Sequence, residues 1–151
     1  MQMIGLGAIA VGAERIKAKS FTIDGEAVVL GPDGLSGFEE LSRREAADTA
    51  VLYAFDLIEH DGEDMRRHPF LDRKAALARL LRNSEAGILF NEHIAEDGPI
   101  VFAHACRLGA EGIVSKRVDS SYRSGRCRVW IKVRNPASIA FQRERSEIWN
   151  R

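Results

Sequence analysis

The sequence predicts an α+β fold of antiparallel sheets flanked by helices. Strand-like segments and helical stretches do not alternate strictly, which argues against a doubly wound parallel sheet. The strands are punctuated by turn signals built on Gly and Pro. At 151 residues, the chain suits one domain with a real core.

The first strand signal is 21–30, FTIDGEAVVL, where Phe21 and Ile23 alternate with Thr22 and Asp24 before an apolar run. Gly31-Pro32-Asp33-Gly34 is a turn, because Pro32 presets φ and Gly34 permits a positive one. Residues 36–46 read as a short surface helix with Phe38 and Leu41 on one side. Residues 50–58, AVLYAFDLI, form an apolar strand broken by Asp56; with both faces apolar, it belongs inside a sheet. His60-Asp61-Gly62 is another turn. Pro69 to Leu81 reads as a helix, with Asp72 as its N-cap and Leu77, Leu80 and Leu81 as an apolar stripe. A short strand is expected over 87–93. A second helix starts at Gly98-Pro99 and ends at Gly109. Strands follow at 112–118 and 129–134 around a turn at Tyr122–Gly125; Pro136 ends the sheet segment, and the tail 137–151 is helical at best.

Met3–Ala13 is apolar and small, but Gly5, Gly7 and Gly12 make it a poor helix. It is expected to be a disordered leader over residues 1–15 or a segment that has lost its partner, with the folded domain over 16–151. It lacks the basic start of a signal peptide, and no apolar run approaches the ~20 residues of a membrane helix. Cys106 and Cys127 form no CxxC pair, and His60, His68, His93 and His104 show no ligand spacing. A disulfide framework or zinc site is not expected, and reduced thiols point to the cytoplasm.

Formal net charge is zero, which argues against a polybasic nucleic-acid binder, but the charge is segregated. Residues 39–64 carry nine acids and two bases, whereas 111–134 carry seven bases and two acids, a net of +5. The second segment is either a phosphate-binding surface or a solvated face.

Several strand positions carry chemistry. Asp24 and Glu26 lie two apart, on one strand face, and are either a metal–phosphate site or a solvent-facing pair. Glu111-Gly112-Ile-Val-Ser-Lys116-Arg117 opens a strand with an acid and closes it with two bases; Glu111 could hold a metal, Ile113 and Val114 could pack a flat base and Lys116 could face phosphate. The alternative is an ordinary salt-bridged strand. In Trp130-Ile-Lys132-Val-Arg134, Lys132 and Arg134 share a face, where an anion would relieve their repulsion; a charged edge strand is the alternative. Tyr53 and Phe55 also share a face and either stack on a base or belong to the core.

Together these residues resemble the ATP-dependent DNA ligases, especially the small bacterial ligase modules of non-homologous end-joining enzymes. The likeness runs from about Ile16 to about Trp149. IDGEAVVL is similar to the family's third nucleotidyltransferase motif, and YAFDLIEHDGEDMRRHPFLDRKAALARLL to the segment with its adenine-stacking aromatic. EGIVSKRVDSSYRSGR is similar to the fourth motif and VWIKVRNP to the fifth. The resemblance implies an ATP-grasp-like nucleotidyltransferase domain, truncated at its N-terminus.

Carried over by position, the resemblance implies that Glu26 binds the ribose and metal–phosphate region, Phe55 stacks on adenine and Val114 lines the base pocket. Glu26 and Glu111 would hold Mg2+ or Mn2+, and Lys132 and Arg134 would contact phosphate. Arg134 stands where the family usually has Lys, which replaces a point charge by a planar fork. Lys116, Arg117 and Arg126 would face phosphate or DNA. The implied substrates are ATP and nicked or broken duplex DNA.

The family's nucleophile is the Lys of a KxDG motif, which attacks the α-phosphorus of ATP, expels pyrophosphate and forms a covalent Lys–AMP. These 151 residues contain no KxDG; only Lys17 and Lys19 precede Asp24. The companion arginine motif and the C-terminal OB-fold domain are absent too. The expectation is an incomplete adenylation domain with no catalytic residue of its own and little turnover alone, completed by an upstream-encoded ligase segment. The alternatives are a non-catalytic nucleotide- or nick-binding module, or a degenerate remnant. Open strand edges further predict self-association, as a dimer.

Overall fold

A computed structural model describes residues 6–29, 49–84, 87–139, 141–142 and 145–146. The expected turn at 31–34, the surface helix at 36–46 and Trp149 lie outside these residues. The elements are α1 (Gly7–Glu14), β1 (Phe21–Val28), β2 (Val51–His60), β3 (Glu63–Asp64), α2 (Phe70–Leu80), β4 (Ile88–Phe90), α3 (Gly98–Arg107), β5 (Gly112–Lys116) and β6 (Trp130–Arg134). They fall into two compact units, Met1–Glu92 and His93–Arg151.

In the first unit β2 is the central strand, as its apolar faces require. β1 pairs along one side of it, antiparallel; β3 (antiparallel) and β4 (parallel) pair along the other. Asp61 and Gly62 join β2 to β3 with φ of 50° and 88°, the positive pair of a two-residue Asp-Gly hairpin turn. The Asp61 carboxylate also accepts the Lys19 backbone N–H at 2.7 Å and that of Ser20 at 3.4 Å, which ties the entry of β1 to this turn and lowers the Asp61 pKa.

α2 and α1 cover the core of this unit. Ala54, Leu57, Met65, Ala76, Leu77, Leu81, Ile88 and Ile16 form a buried apolar cluster, with Ile9 and Ala13 of α1 packed against it. That packing corrects the expectation of a poor helix over Met3–Ala13: Gly7–Glu14 is helical with Gly12 buried, because tertiary contacts outweigh low intrinsic propensity. Asp72 is not the N-cap of α2. Pro69 holds that position and Asp72 lies in the first turn, where its charge suits the helix dipole.

In the second unit β5 and β6 form a two-stranded antiparallel sheet, preceded by α3. Pro99 opens α3, and Gly109 follows its end at φ 77°, as expected.

Candidate nucleotide and phosphate site

The register of β1 on β2 slips twice, between Thr22 and Ile23 and between Asp24 and Gly25. Both extra residues lie on β2. Leu57 pairs with Ile23 and Glu59 with Thr22, leaving Ile58 over; Ala54 pairs with Gly25 and Asp56 with Asp24, leaving Phe55 over. Pairing of β4 also stops at Ala54. Phe55 is thus a β-bulge residue, outside both ladders, of the kind that re-aims a side chain. The bulge lies beside the expected Tyr53–Phe55 pair, neither of which belongs to the buried core cluster. It also explains how residues 54 and 57, an odd number apart, both reach the core.

β1 carries no insertion, so Asp24 and Glu26 keep their alternation. Glu26 is exposed, opposite Tyr53; Asp24 is half-buried, opposite Asp56. Gly25 permits this close pairing: a Cβ there would stand 2.7 Å from the Tyr53 carbonyl oxygen.

The sequence flagged Asp56 only as a break in an apolar run. It is fully buried, and so is Arg73 of α2, whose guanidinium donates through Nε to Oδ1 at 2.7 Å and through Nη2 to Oδ2 at 3.0 Å. Lys74 is 3% exposed; its ammonium donates to the Asn91 carbonyl and lies 4.5 Å from the Phe90 ring centre. An acid inside an apolar strand needs a buried cation, and that requirement was the available clue.

In the second unit the pairing Gly112–Arg134, Val114–Lys132 and Lys116–Trp130 puts Val114, Lys116, Lys132 and Arg134 on one face of the two-stranded sheet. The expected sharing of a face by Lys132 and Arg134 holds. Val114 is 54% exposed, and Lys132 makes no ion pair among the described residues. Gly112 lets β6 approach: a Cβ would stand 2.2 Å from the Val133 carbonyl oxygen. Glu111 is exposed just before β5, and its carbonyl accepts the Asn135 N–H at 2.7 Å. Asn135, 3% exposed, donates through Nδ2 to the Ala110 carbonyl at 2.9 Å and accepts the Ala137 N–H at 3.0 Å. It pins the start of β5 to the end of β6.

Lys116 is drawn toward an aromatic. Its Nζ lies 4.0 Å from the Trp130 ring centre, and Tyr122 meets Trp130 edge-on at 5.3 Å. Beyond β5, a pocket of about 460 Å3 is lined by Arg117, Arg123, Arg126 and Arg128 with Asp119, Ser120 and Cys127 among its other residues. Arg117 donates to Asp119 at 2.8 Å, which lowers the Asp119 pKa, while Arg123, Arg126 and Arg128 make no ion pair among the described residues. A concave surface with unneutralised guanidinium groups suits phosphate oxygens. The sequence picked out Arg117 and Arg126 here and counted Arg123 and Arg128 only as charge. Among the described residues no group of three or more His, Cys, Asp or Glu side chains could hold a metal, and no helix is long and apolar enough to cross a membrane.

Residues 9–134 match the family model of the ATP dependent DNA ligase domain. The chain is 40% identical over 116 residues to the multifunctional non-homologous end joining protein LigD of Pseudomonas aeruginosa, covering 74% of this chain and 14% of that protein. Among solved structures, the ligase domain of M. tuberculosis LigD matches with a TM-score of 0.65 at 34% identity, over 76% of this chain and 37% of that one. A mycobacterial DNA ligase D complexed with ATP and MES matches with a TM-score of 0.66, also at 34% identity, over 76% of this chain and 38% of that one. The expected α+β nucleotidyltransferase architecture is therefore the observed one, and the chain, similar to the adenylation domain of the LigD end-joining ligases, belongs to the ATP-dependent DNA ligase family.

Proposed function

We propose that the chain supplies the adenylate-binding surfaces of an end-joining DNA ligase. Phe55 is the platform for adenine and Val114 flanks the base. Glu26 binds the ribose and metal–phosphate region, and Lys132 with Arg134 takes the α-phosphate. The observation that carries this reading is the register of β5 and β6, which sets an exposed apolar side chain beside two cations on one sheet face. An apolar flank next to paired cations is what a base joined to a phosphate requires.

Glu26 and Glu111 are the proposed ligands of Mg2+ or Mn2+. Glu26 and Glu111 are exposed carboxylates, and such ions take one or two carboxylates with phosphate oxygens and water. When bound, the ion would offset charge developing on the phosphates. The arginine pocket, with Arg117 and Arg126, and Lys116 near it in sequence, faces the phosphates of nicked or broken duplex DNA.

In this reading these residues, which contain no KxDG lysine, bind adenylate, and an upstream-encoded ligase segment supplies the attacking amine. The test is incubation with labelled ATP and magnesium, followed by mass spectrometry. The expected result is ATP binding that Lys132→Ala weakens by about tenfold or more, with no AMP adduct. A stoichiometric adduct on Lys17 or Lys19 would overturn it.

The arginine pocket also favours a second reading, a nick-binding module without catalysis. It predicts nicked-duplex affinity that falls steeply with salt, with Arg126→Ala reducing the salt slope by about one. We further propose that the chain works in the cytoplasm and self-associates as a dimer; a strictly monomeric species at micromolar concentration would refute the latter.

A further inference from the structure

We propose that the buried Asp56–Arg73 pair is a positioning device that locks the β2 bulge and thereby presents the Phe55 ring to the base. The inference rests on the reading of Phe55 as the adenine platform.

The geometry places the pair at the bulge itself. Phe55 is the extra residue of the β2 bulge, between Ala54, which pairs with Gly25, and Asp56, which pairs with Asp24. Its two neighbours, Ala54 and Asp56, are fully buried. The Asp56 carboxylate accepts the Leu57 N–H at 2.9 Å, on the far side of the bulge, and two parallel bonds from Arg73. Arg73 is itself fixed from two sides. Its Nη1 donates to the His68 carbonyl at 2.6 Å, and its guanidinium carbon lies 5.7 Å from the Phe70 ring centre. A planar fork gripping a carboxylate at two points resists rotation in a way that a single hydrogen bond does not. The residue next to the platform is thus bolted to α2.

A structural role alone is poorly suited to explain such a pair. Burying two charges costs more in desolvation than an apolar pair would, and well-packed apolar replacements of buried ion pairs are often neutral or stabilising. What an apolar pair cannot supply is the acceptor for Leu57 N–H and the directional grip on the bulge.

The experiment compares ATP with tripolyphosphate, which carries the anionic groups and no base. Binding is measured on the intact chain for wild type, Phe55→Ala, Arg73→Lys and the pair Asp56→Leu/Arg73→Met, with thermal melts alongside. Arg73→Lys keeps the charge and loses the fork, whereas the double variant removes both charges together. The expected result is a weakening of ATP binding by about tenfold in all three variants, as for loss of a base–aromatic stack. Tripolyphosphate affinity stays within about twofold, and the double variant still folds, because the desolvation cost of two charges that it avoids offsets the loss of the Leu57 N–H acceptor.

A folded Arg73→Lys or double variant with wild-type ATP affinity, while Phe55→Ala is weakened, overturns the positioning role and leaves Phe55 as the platform. Equal losses for ATP and tripolyphosphate in those variants overturn it as well, since the damage is then not specific to the base. Unchanged ATP binding in Phe55→Ala, or no ATP binding by wild type, removes the platform and the proposal with it.

Discussion

The two units stabilise their functional residues by different means. Every buried apolar residue among those described lies in the first unit, from Ile16 to Ile88. In the second, the buried residues among those described are all polar: Ser120, Asn135 and Ser138. Of the ten exposed large apolar side chains among the described residues, eight, including Ile131 at 57% and Ile139 at 70%, also belong to the second unit. The first unit therefore holds Phe55 on a packed core. The second holds Val114, Lys132 and Arg134 by strand register and by side-chain bonds to backbone. Burial of apolar area carries most folding energy, whereas a hydrogen bond to backbone contributes about 1 kcal/mol net and mainly fixes geometry.

The largest expected effect tests the packed side of this contrast. Leu77 is fully buried in α2, so Leu77→Ala should cost about 2–5 kcal/mol in urea unfolding. Ile131→Ala, at 57% exposure, should stay within about 0.5 kcal/mol. Comparable losses for the two would break the comparison, because β6 would then have a core of its own.

The next effect tests the polar side. Asn135→Ala removes the bond to the Ala110 carbonyl and the acceptor for Ala137 N–H. Losing two part-buried hydrogen bonds of about 0.5–1.5 kcal/mol each should be seen as faster hydrogen exchange in β5 and β6 with α2 and β2 unchanged. Equal acceleration in α2 would mean that the two units unfold as one.

The same contrast governs what the sequence made legible. The central place of β2 was readable because a strand buried on both faces must be apolar throughout. The shared face of Lys132 and Arg134 was readable because β6 carries no insertion, so period-two alternation survives intact. The bulge at Phe55 was not, since an inserted residue leaves no mark in a continuous apolar run. Arg73 was hidden by distance: it is 17 residues from Asp56 and, in sequence, looks like the polar face of a helix. α1 was misjudged because Gly5, Gly7 and Gly12 lower helix propensity, while Ile9 and Ala13 docking on the core decides the outcome. The arginine pocket was half visible, its charge countable and its concavity not.

The smallest effect sharpens the electrostatics of the second unit. Asp119 competes for Arg117 with any incoming phosphate, and Arg117 holds its carboxyl below the ordinary value of 3.8. A depressed carboxyl contributes stability that is present above its unfolded pKa and lost as pH falls through the still lower folded value. Between pH 7 and 5 Asp119 therefore stays ionised and Arg117 stays engaged. Asp119→Asn removes the competing charge at every pH and should tighten nicked-duplex binding by about two- to fivefold at low salt, the scale of an exposed ion pair. The gain should fade as salt screens the pocket. A wild-type affinity that rose between pH 7 and 5 would have to come from another group, and an Asp119→Asn variant with unchanged affinity would remove Arg117 from the phosphate-binding surface, leaving Arg123, Arg126 and Arg128 to form it.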